Sequence, residues 1–203
     1  TVYGGLFIQL FIVYAIIFVL FTRLNPFRFL RKMLPVILFA FSTSSSNATI
    51  PLNLETLERK CGVDEKVASF TIPLGATINM SGTAIMQGVA VVFVAQAFGI
   101  DLSTSALMTV VITAVTAAIG TAGVPGVGTI MLAMVFESVG LPAAGIAMIM
   151  GVDRILDMGR TAVNVTGDAV VTMCMASLTK TLDRNVFQSR NEDLIEEPAK
   201  APS

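Results

Sequence analysis

Long apolar stretches alternate with short polar or glycine-rich segments along this chain. Residues 3–21 are almost uninterruptedly apolar, and residues 68–99 are apolar except for the polar segment 79–83. A third long segment runs from about residue 142 to residue 182. A helix needs about 20 apolar residues to cross the hydrocarbon core of a bilayer, so each of these segments is long enough to span a membrane.

Shorter apolar runs lie on both sides of polar or glycine-rich turns. The run 33–41 leads into the serine-rich segment 42–49, and the runs 106–120 and 129–139 flank the glycine-rich loop 121–128. Turns of this kind are tolerated at membrane depth only where they pack on protein or line a polar cavity. The pattern therefore predicts two helical hairpins that enter the membrane and return.

Composition supports a membrane protein. Of the 203 residues, 54% are hydrophobic and 13% are charged, about half the charged fraction of a soluble domain. Helices satisfy their own backbone hydrogen bonds in lipid, so we expect an all-α integral membrane protein. The net charge of −1 indicates no nucleic-acid partner, and histidine, the commonest metal ligand, is absent from the sequence. No histidine or lysine base accompanies the serine run, so we do not expect an enzyme.

The distribution of positive charge predicts the topology. Arg and Lys cluster at 23–32, 59–66 and 180–190, whereas the loops near Asp101 and Gly140 have none. The clusters are expected on the cytoplasmic side, which makes the two hairpins re-entrant from opposite sides and places the C-terminus in the cytoplasm. The predicted order is a first crossing helix at 1–26, a re-entrant hairpin at 27–62, a broken crossing helix at 63–101, a second re-entrant hairpin at 102–140, a last crossing helix at 141–182 and a disordered tail at 183–203.

One face of the last helix carries charged and amide side chains. The residues are spaced by three or four and fall on one face about 100° wide: Asp153, Asp157, Arg160, Thr161, Asn164 and Asp168. Ionisable groups at membrane depth cost at least a few kcal/mol each, which makes them a functional-site hypothesis. Two alternatives are a solvated surface helix and an Arg160 that only pairs with Asp157 or Asp153 to hold helices together.

Four sequence motifs resemble the C-terminal half of the glutamate/aspartate transporter family, also called the dicarboxylate/amino acid:cation symporters. They are Ser-Ser-Ser-Asn-Ala-Thr at 44–49, Pro-Leu-Gly-Ala-Thr-Ile-Asn at 73–79, Gly-Thr-Ala-Gly-Val-Pro-Gly at 120–126 and Asp-Met-Gly-Arg-Thr-Ala-Val-Asn-Val-Thr-Gly-Asp at 157–168. The resemblance covers residues 1 to about 180. It implies an elevator-type transport domain from a longer polypeptide, in which residues 102–140 form the gate.

The resemblance also implies substrate and cation sites. Arg160 would hold the side-chain carboxylate of an acidic amino acid, Asp157 and Thr161 the ammonium group, and Asn164 the α-carboxylate. The implied substrate-binding set is Ser45, Ser46, Thr83, Val124, Gly128, Asp157, Arg160, Thr161 and Asn164. One Na⁺ site would use Gly75, Asn79, Asn164 and Asp168. A second would use Thr77, Ala118, Ile119 and Thr121.

Ser81 departs from the family pattern. The family usually has aspartate here, where it helps to build a third Na⁺ site, so a neutral hydroxyl predicts that this site is weak or absent. The expected function is Na⁺-coupled import of L-aspartate or L-glutamate by alternating access. A proton-coupled or uncoupled carrier, an anion-conducting relative and a non-transporting membrane subunit are the alternatives.

The expected surroundings follow from the same resemblance. We expect a multi-pass protein of the inner or plasma membrane, in contact with the lipid bilayer. We also expect a homotrimer that assembles through an N-terminal scaffold missing from this sequence.

Overall fold

Residues 1–189 are described by a computed structural model, and they form helices without any strand. The elements are α1 (Val2–Thr22, with a π-helical segment at Gln9–Val13), α2 (Pro26–Thr43), α3 (Ser46–Cys61), α4 (Glu65–Ile78), α5 (Ser81–Ala97), α6 (Thr104–Ala118), α7 (Val127–Ser138), a 3₁₀ turn (Ala143–Gly145), α8 (Ile146–Leu178) and α9 (Arg184–Gln188). Two helix pairs pack as hairpins: hairpin 1 is α2 with α3, and hairpin 2 is α6 with α7.

Local sequence explains where hairpin 1 begins and turns. The Asn25 side chain accepts hydrogen bonds from the backbone N–H groups of Phe27 and Arg28, and proline follows at the first helical position. This is a favourable helix start. At the tip, Ser44 has a left-handed backbone with φ of 54° and ends α2, and Ser45 caps α3 by accepting from the N–H of Ala48.

The polar segment 79–83 breaks a long helix, and the break is shorter than the segment. Only Asn79 and Met80 leave the helical conformation, whereas Ser81 already belongs to the first turn of α5. The break frees backbone groups at the end of α4 and the start of α5. Those groups face α8, as the site geometry below shows.

The long helix α8 is the centre of the fold. It packs against α1, both helices of hairpin 1, α4, α5 and α7. One hydrophobic cluster contains residues of α1, α2, α3, α4 and the second half of α8. Another contains residues of α5, α6, α7 and the first half of α8. The polar face of α8 lies between these two hydrophobic clusters.

Large apolar side chains cover much of the outer surface. Examples are Leu20, which is 69% exposed, and Ile112, which is 68% exposed. Three segments are long and apolar enough to cross a membrane, namely Val2–Thr22, Glu65–Ala97 and Ala143–Leu178. They coincide with the three segments predicted to cross, and both the crossing itself and its direction stay predictions.

The expectation of a disordered tail is wrong for residues 183–189. Asp183 caps α9 by accepting from two backbone N–H groups, and its own N–H donates to the carbonyl of Gly62 at 2.8 Å. Phe187 is 1% exposed and packs on Phe18 and the Lys32 side chain. Charge and low hydrophobicity suggested disorder, but one aromatic anchor and the backbone contacts outweigh them. Residues 190–203 lie outside the described part of the chain.

Candidate functional site

The polar face of α8 is buried in protein. Asp157, Arg160, Thr161, Asn164 and Asp168 are each at most 4% exposed. A solvated surface helix is therefore wrong as a description of α8. Charged groups can stay in such an interior only if partners neutralise them or hydrogen-bond to them.

A small cavity lies where α8 meets the broken helix and both hairpin tips. Its lining is polar, and it is large enough for about one water molecule. The lining residues are Ser44, Ser46, Met80, Thr83, Thr121, Ala122, Gly123, Val124, Gly128, Asp157, Arg160, Thr161 and Asn164. The predicted substrate-binding residues are all among them except Ser45.

Among the described residues, Arg160 is the only arginine that lines this cavity. Its Nε donates to Oδ1 of Asp157 at 2.9 Å, and its Nη1 lies 3.8 Å from Oδ1 of Asp153. That Nη1 atom is buried and has no hydrogen-bond partner in the described residues. A buried unsatisfied donor costs about 1–3 kcal/mol, and more when it is charged. The guanidinium can therefore accept an anionic group from the cavity side.

Asp157 connects the arginine to the second hairpin. Its Oδ1 also accepts from the Thr161 hydroxyl at 3.3 Å, while its Oδ2 accepts from the backbone N–H of Gly126 at 2.8 Å. A carboxylate offers about four lone-pair positions, so a further donor such as an ammonium group can still bind. Closure of hairpin 2 and the charge balance of the cavity thus depend on the same side chain.

Hairpin 2 passes very close to Arg160 at Gly128. A Cβ atom at Gly128 would stand 2.6 Å from Nη1 and 2.7 Å from Cζ of the guanidinium. Distances this short are not compatible with ordinary packing, so the guanidinium or the start of α7 would have to shift. The absence of a side chain at residue 128 lets α7 lie this close to the arginine.

The two hairpin tips contact each other through Ser45. Its hydroxyl donates to the Gly123 carbonyl at 2.8 Å, and the N–H of Asn47 donates to the same oxygen at 3.1 Å. Ser45 therefore holds the tips together and does not line the cavity. The preceding Ser44 lines it instead, with a buried hydroxyl that lacks a partner in the described residues.

The predicted first cation site is brought together around Asp168. Asn79 Nδ2 donates to Asp168 Oδ1 at 2.9 Å, and a Cβ on Gly75 would lie 2.7 Å from the same oxygen. Carboxylate, amide and backbone oxygens are ligands that suit hard cations. Asn164 lies on the cavity side, where its Oδ1 accepts from the N–H of Gly82 at 2.7 Å and its Nδ2 donates to Thr83 at 3.3 Å.

The predicted second cation site lies at the end of α6. The Thr77 carbonyl accepts from the N–H of Gly120 at 2.8 Å, which joins the broken helix to hairpin 2. Ala118 is buried, Ile119 is 55% exposed, and the Thr121 hydroxyl donates to Ala117. The carbonyl groups of the last helical turn are concentrated here, and the negative end of the helix dipole attracts cations.

Two polar residues near the site were missed by the sequence interpretation. Tyr14 on α1 shares a 2.5 Å hydrogen bond with the Ser81 hydroxyl, and Gln87 donates to the Gly128 carbonyl at 3.2 Å. Gln87 is 0% exposed, and its Oε1 has no partner in the described residues. Gln87 falls one and a half turns after Ser81, and only its placement in an otherwise apolar run could have drawn attention to it.

Comparison of the sequence with known proteins identifies a family and several relatives. A family model described as "Sodium:dicarboxylate symporter family" matches residues 1–178. Among similar proteins, excitatory amino acid transporter 3 of Mus musculus is 45% identical over 180 residues, which cover 89% of this chain and 34% of that protein. Excitatory amino acid transporter 1 of Rattus norvegicus is 40% identical over 194 residues, covering 96% of this chain and 35% of that protein.

A third relative carries a different substrate class in its name. Neutral amino acid transporter A of Bos taurus is 43% identical over 166 residues, covering 82% of this chain and 31% of that protein. The chain thus spans about a third of the length of these relatives, all of which are named as transporters. With three helices able to span a membrane and a polar site buried among them, the chain belongs to the sodium:dicarboxylate symporter family.

Proposed function

We propose that the intact protein imports an acidic amino acid, L-aspartate or L-glutamate, by Na⁺-coupled alternating access. The observation that carries this proposal is the buried Arg160 on the wall of a small polar cavity, with an Nη1 that has no hydrogen-bond partner among the described residues. A guanidinium fork binds a carboxylate in two parallel hydrogen bonds. The names of the excitatory amino acid transporter relatives support an acidic substrate.

Each end of such a substrate has a complementary group in the cavity. Arg160 would bind the side-chain carboxylate, and Asp157 with Thr161 would bind the ammonium group. Asn164, Thr83 and the tip around Ser46 would bind the α-carboxylate. Ser44, with its buried unpartnered hydroxyl, is a further donor for that carboxylate. Val124 and Gly128 would close over the bound molecule from hairpin 2.

Na⁺ is proposed as a transported co-substrate with two sites. Asp168, Asn79 and the Gly75 backbone supply oxygen atoms for the first, and the end of α6 beside Thr77 supplies them for the second. The family name supports dependence on sodium. A third site at Ser81 would have no carboxylate, because serine offers only a hydroxyl, and that hydroxyl shares a hydrogen bond with Tyr14.

Transport requires the cavity to open and then to face the other side. The cavity is too small for an amino acid unless a part of its wall moves. Hairpin 2 forms part of that wall through its glycine-rich tip, where α7 begins without a side-chain cap. We propose that hairpin 2 is the gate and that the packed helices move across the membrane as one elevator-type domain. Bound Na⁺ and substrate would offset the charges of Asp168 and Arg160 during that movement.

The proposal extends to the location and assembly of the protein. We propose that it lies in the inner or plasma membrane, with a cytoplasmic C-terminus. We also propose a homotrimer formed through the part of the longer polypeptide that this chain does not contain.

Arg160→Ala in the intact protein, reconstituted into liposomes, tests the substrate site. Loss of two charge-assisted hydrogen bonds is expected to lower the rate of radiolabelled aspartate uptake at least about 100-fold. Arg154→Ala is the matched control, because this arginine lies on the same helix but is exposed. Unchanged aspartate uptake in Arg160→Ala would overturn the proposed site, and competition by neutral amino acids as strong as by aspartate would overturn an acidic substrate.

Ser81→Asp tests the coupling ion and the number of sites. A carboxylate here is expected to steepen the Na⁺ dependence of aspartate binding, because it supplies the charge that a further cation requires. Proton-coupled transport is the second candidate, and the neutral Ser81 favours it. Uptake that follows a pH gradient and ignores a Na⁺ gradient would support this alternative.

A further inference from the structure

We propose that Asp153 couples closure of hairpin 2 to the pairing of Arg160 with an anionic ligand, as a positioning residue that contacts both Thr129 and Arg160. This inference rests on the proposed function and adds a residue outside the predicted substrate and cation sites. It concerns the first turn of α7 and the part of α8 that faces it.

Asp153 lies between α7 of hairpin 2 and Arg160. Its Oδ1 accepts a hydrogen bond from the hydroxyl of Thr129 on α7 and lies 3.8 Å from Nη1 of Arg160. Thr129 is 7% exposed, and the Asp153 side chain is 17% exposed. A carboxylate in this position contacts both α7 and the guanidinium on α8.

The contact is one half of a pair. Asp153 and Asp157 stand one turn apart on α8, and Asp157 binds the backbone N–H of Gly126 just before α7 begins. Both carboxylates therefore hold the start of α7, and both also face the guanidinium of Arg160. Gly128 lies between their two attachment points and packs directly on that guanidinium.

Competition for Arg160 makes these contacts depend on one another. A carboxylate that binds Nη1 from the cavity draws the guanidinium away from Asp153 and weakens their 3.8 Å ion pair. Thr129 is the only hydrogen-bond donor to Asp153 among the described residues, and with less positive charge nearby the Asp153 carboxylate accepts that bond more strongly. An acidic ligand thus tightens the closed hairpin, and a neutral ligand does not.

Linkage makes the same coupling act in the other direction. If the anionic ligand strengthens the bond between Asp153 and Thr129, that bond must strengthen binding of the anionic ligand by the same factor. Thr129 would therefore contribute to the preference for acidic substrates without touching the substrate.

A double-mutant cycle on the intact protein in detergent tests the inference. Thr129→Val keeps the size of the side chain and removes the donor, whereas Asp153→Asn keeps an acceptor oxygen and removes the charge. The measurement is the Kd of aspartate and of asparagine at fixed Na⁺ for wild type, both single variants and the double variant. Thr116→Val serves as the control, because its exposed hydroxyl bonds only within α6.

We expect Thr129→Val to weaken aspartate binding about five- to tenfold and to change asparagine binding less than about twofold. In the Asp153→Asn background the same substitution should change aspartate binding less than about twofold. Thr129→Ser should restore the wild-type ratio of the two Kd values, which a purely packing role would not predict.

Three results would overturn the inference. The first is an equal loss for aspartate and asparagine in Thr129→Val, and the second is an undiminished effect of this substitution in the Asp153→Asn background. Either of these leaves the proposed function intact if wild type binds aspartate. The third is a wild-type protein that binds no aspartate with Na⁺ present, which overturns the proposed function as well.

Discussion

The two hairpins are similar in length but are held in different ways. In hairpin 1, each helix begins with a side-chain cap, from Asn25 and Ser45, and both helices pack on α8. In hairpin 2, α7 begins at Gly126 without a side-chain cap. Its start is held by Asp153, Asp157 and the contact of Gly123 with the other tip. The polar attachments of hairpin 2 are thus concentrated at the proposed substrate site.

A buried lysine braces the base of hairpin 1. Lys32 is 3% exposed, and its Nζ donates to the carbonyls of Lys60 at 2.6 Å and Val186 at 3.1 Å. Arg184 donates to the carbonyl of Thr22 at 3.0 Å, so the segment 183–189 ties hairpin 1 to α1. Hairpin 2 has no such brace among the described residues. The difference supports the proposal that hairpin 1 is fixed and that hairpin 2 is the gate.

Gly128→Ala should affect the two hairpins most unequally, because it obstructs only hairpin 2, the proposed gate. The new Cβ would collide with Arg160, so hairpin 2 would be unable to close, and we expect aspartate affinity to fall at least about 100-fold. Binding measured by isothermal calorimetry on the intact protein checks this. Gly88→Ala is the control, because a Cβ there meets no atom within 4 Å. Near-normal affinity in Gly128→Ala would contradict closure against the guanidinium.

Lys32→Met tests the fixed hairpin. Removing a charged donor from two buried carbonyls should lower the free energy of unfolding by about 2–4 kcal/mol. The midpoint of thermal denaturation should fall, and hydrogen exchange should accelerate at residues 58–62 and 183–189. Aspartate affinity of the folded fraction should change little. Arg31→Met is the control, since that neighbour is exposed, and equal loss of stability in both variants would argue against a brace.

Ser45→Ala tests the contact between the hairpins. Loss of the helix cap and of the bond to Gly123 should cost about 1–2 kcal/mol locally. Hydrogen exchange should accelerate at the start of α3 and at the tip of hairpin 2, while the base of hairpin 1 stays protected. Ser42→Ala is the control, because its exposed hydroxyl bonds within α2. If hydrogen-exchange protection at both tips is the same as in wild type, Ser45 does not hold the two tips together.

Several features of the fold could be predicted from the sequence. The spacing of polar residues placed Asp157, Arg160 and Asp168 on one helix face, because helical geometry determines which residues share a face. The Asn-Met-Ser-Gly-Thr segment indicated a helix break, and the glycine-rich loop indicated a hairpin tip. These features depend on residues close together in the chain, so local pattern is sufficient.

Other features depend on contacts between distant residues. Ser45 and Ser44 are adjacent serines, yet one joins the hairpin tips and the other lines the cavity, because Ser44 adopts a left-handed backbone. Likewise Tyr14 reaches Ser81 from a helix 67 positions away, and Phe187 is buried against α1. No periodicity distinguishes these partners, since they are chosen by how the helices pack.

The sequence by itself determined the apolar helices, the buried polar face of the last one and the residue types that can bind a carboxylate and a hard cation. The tertiary structure decided which of those groups meet. It brought Asp153 to Thr129, the Gly128 backbone to Arg160 and Lys32 to the Val186 carbonyl of α9. The physical reason is that composition and periodicity set what a helix must bury, whereas hydrogen-bond partners and charge pairs are set by the packing of helices far apart in the chain.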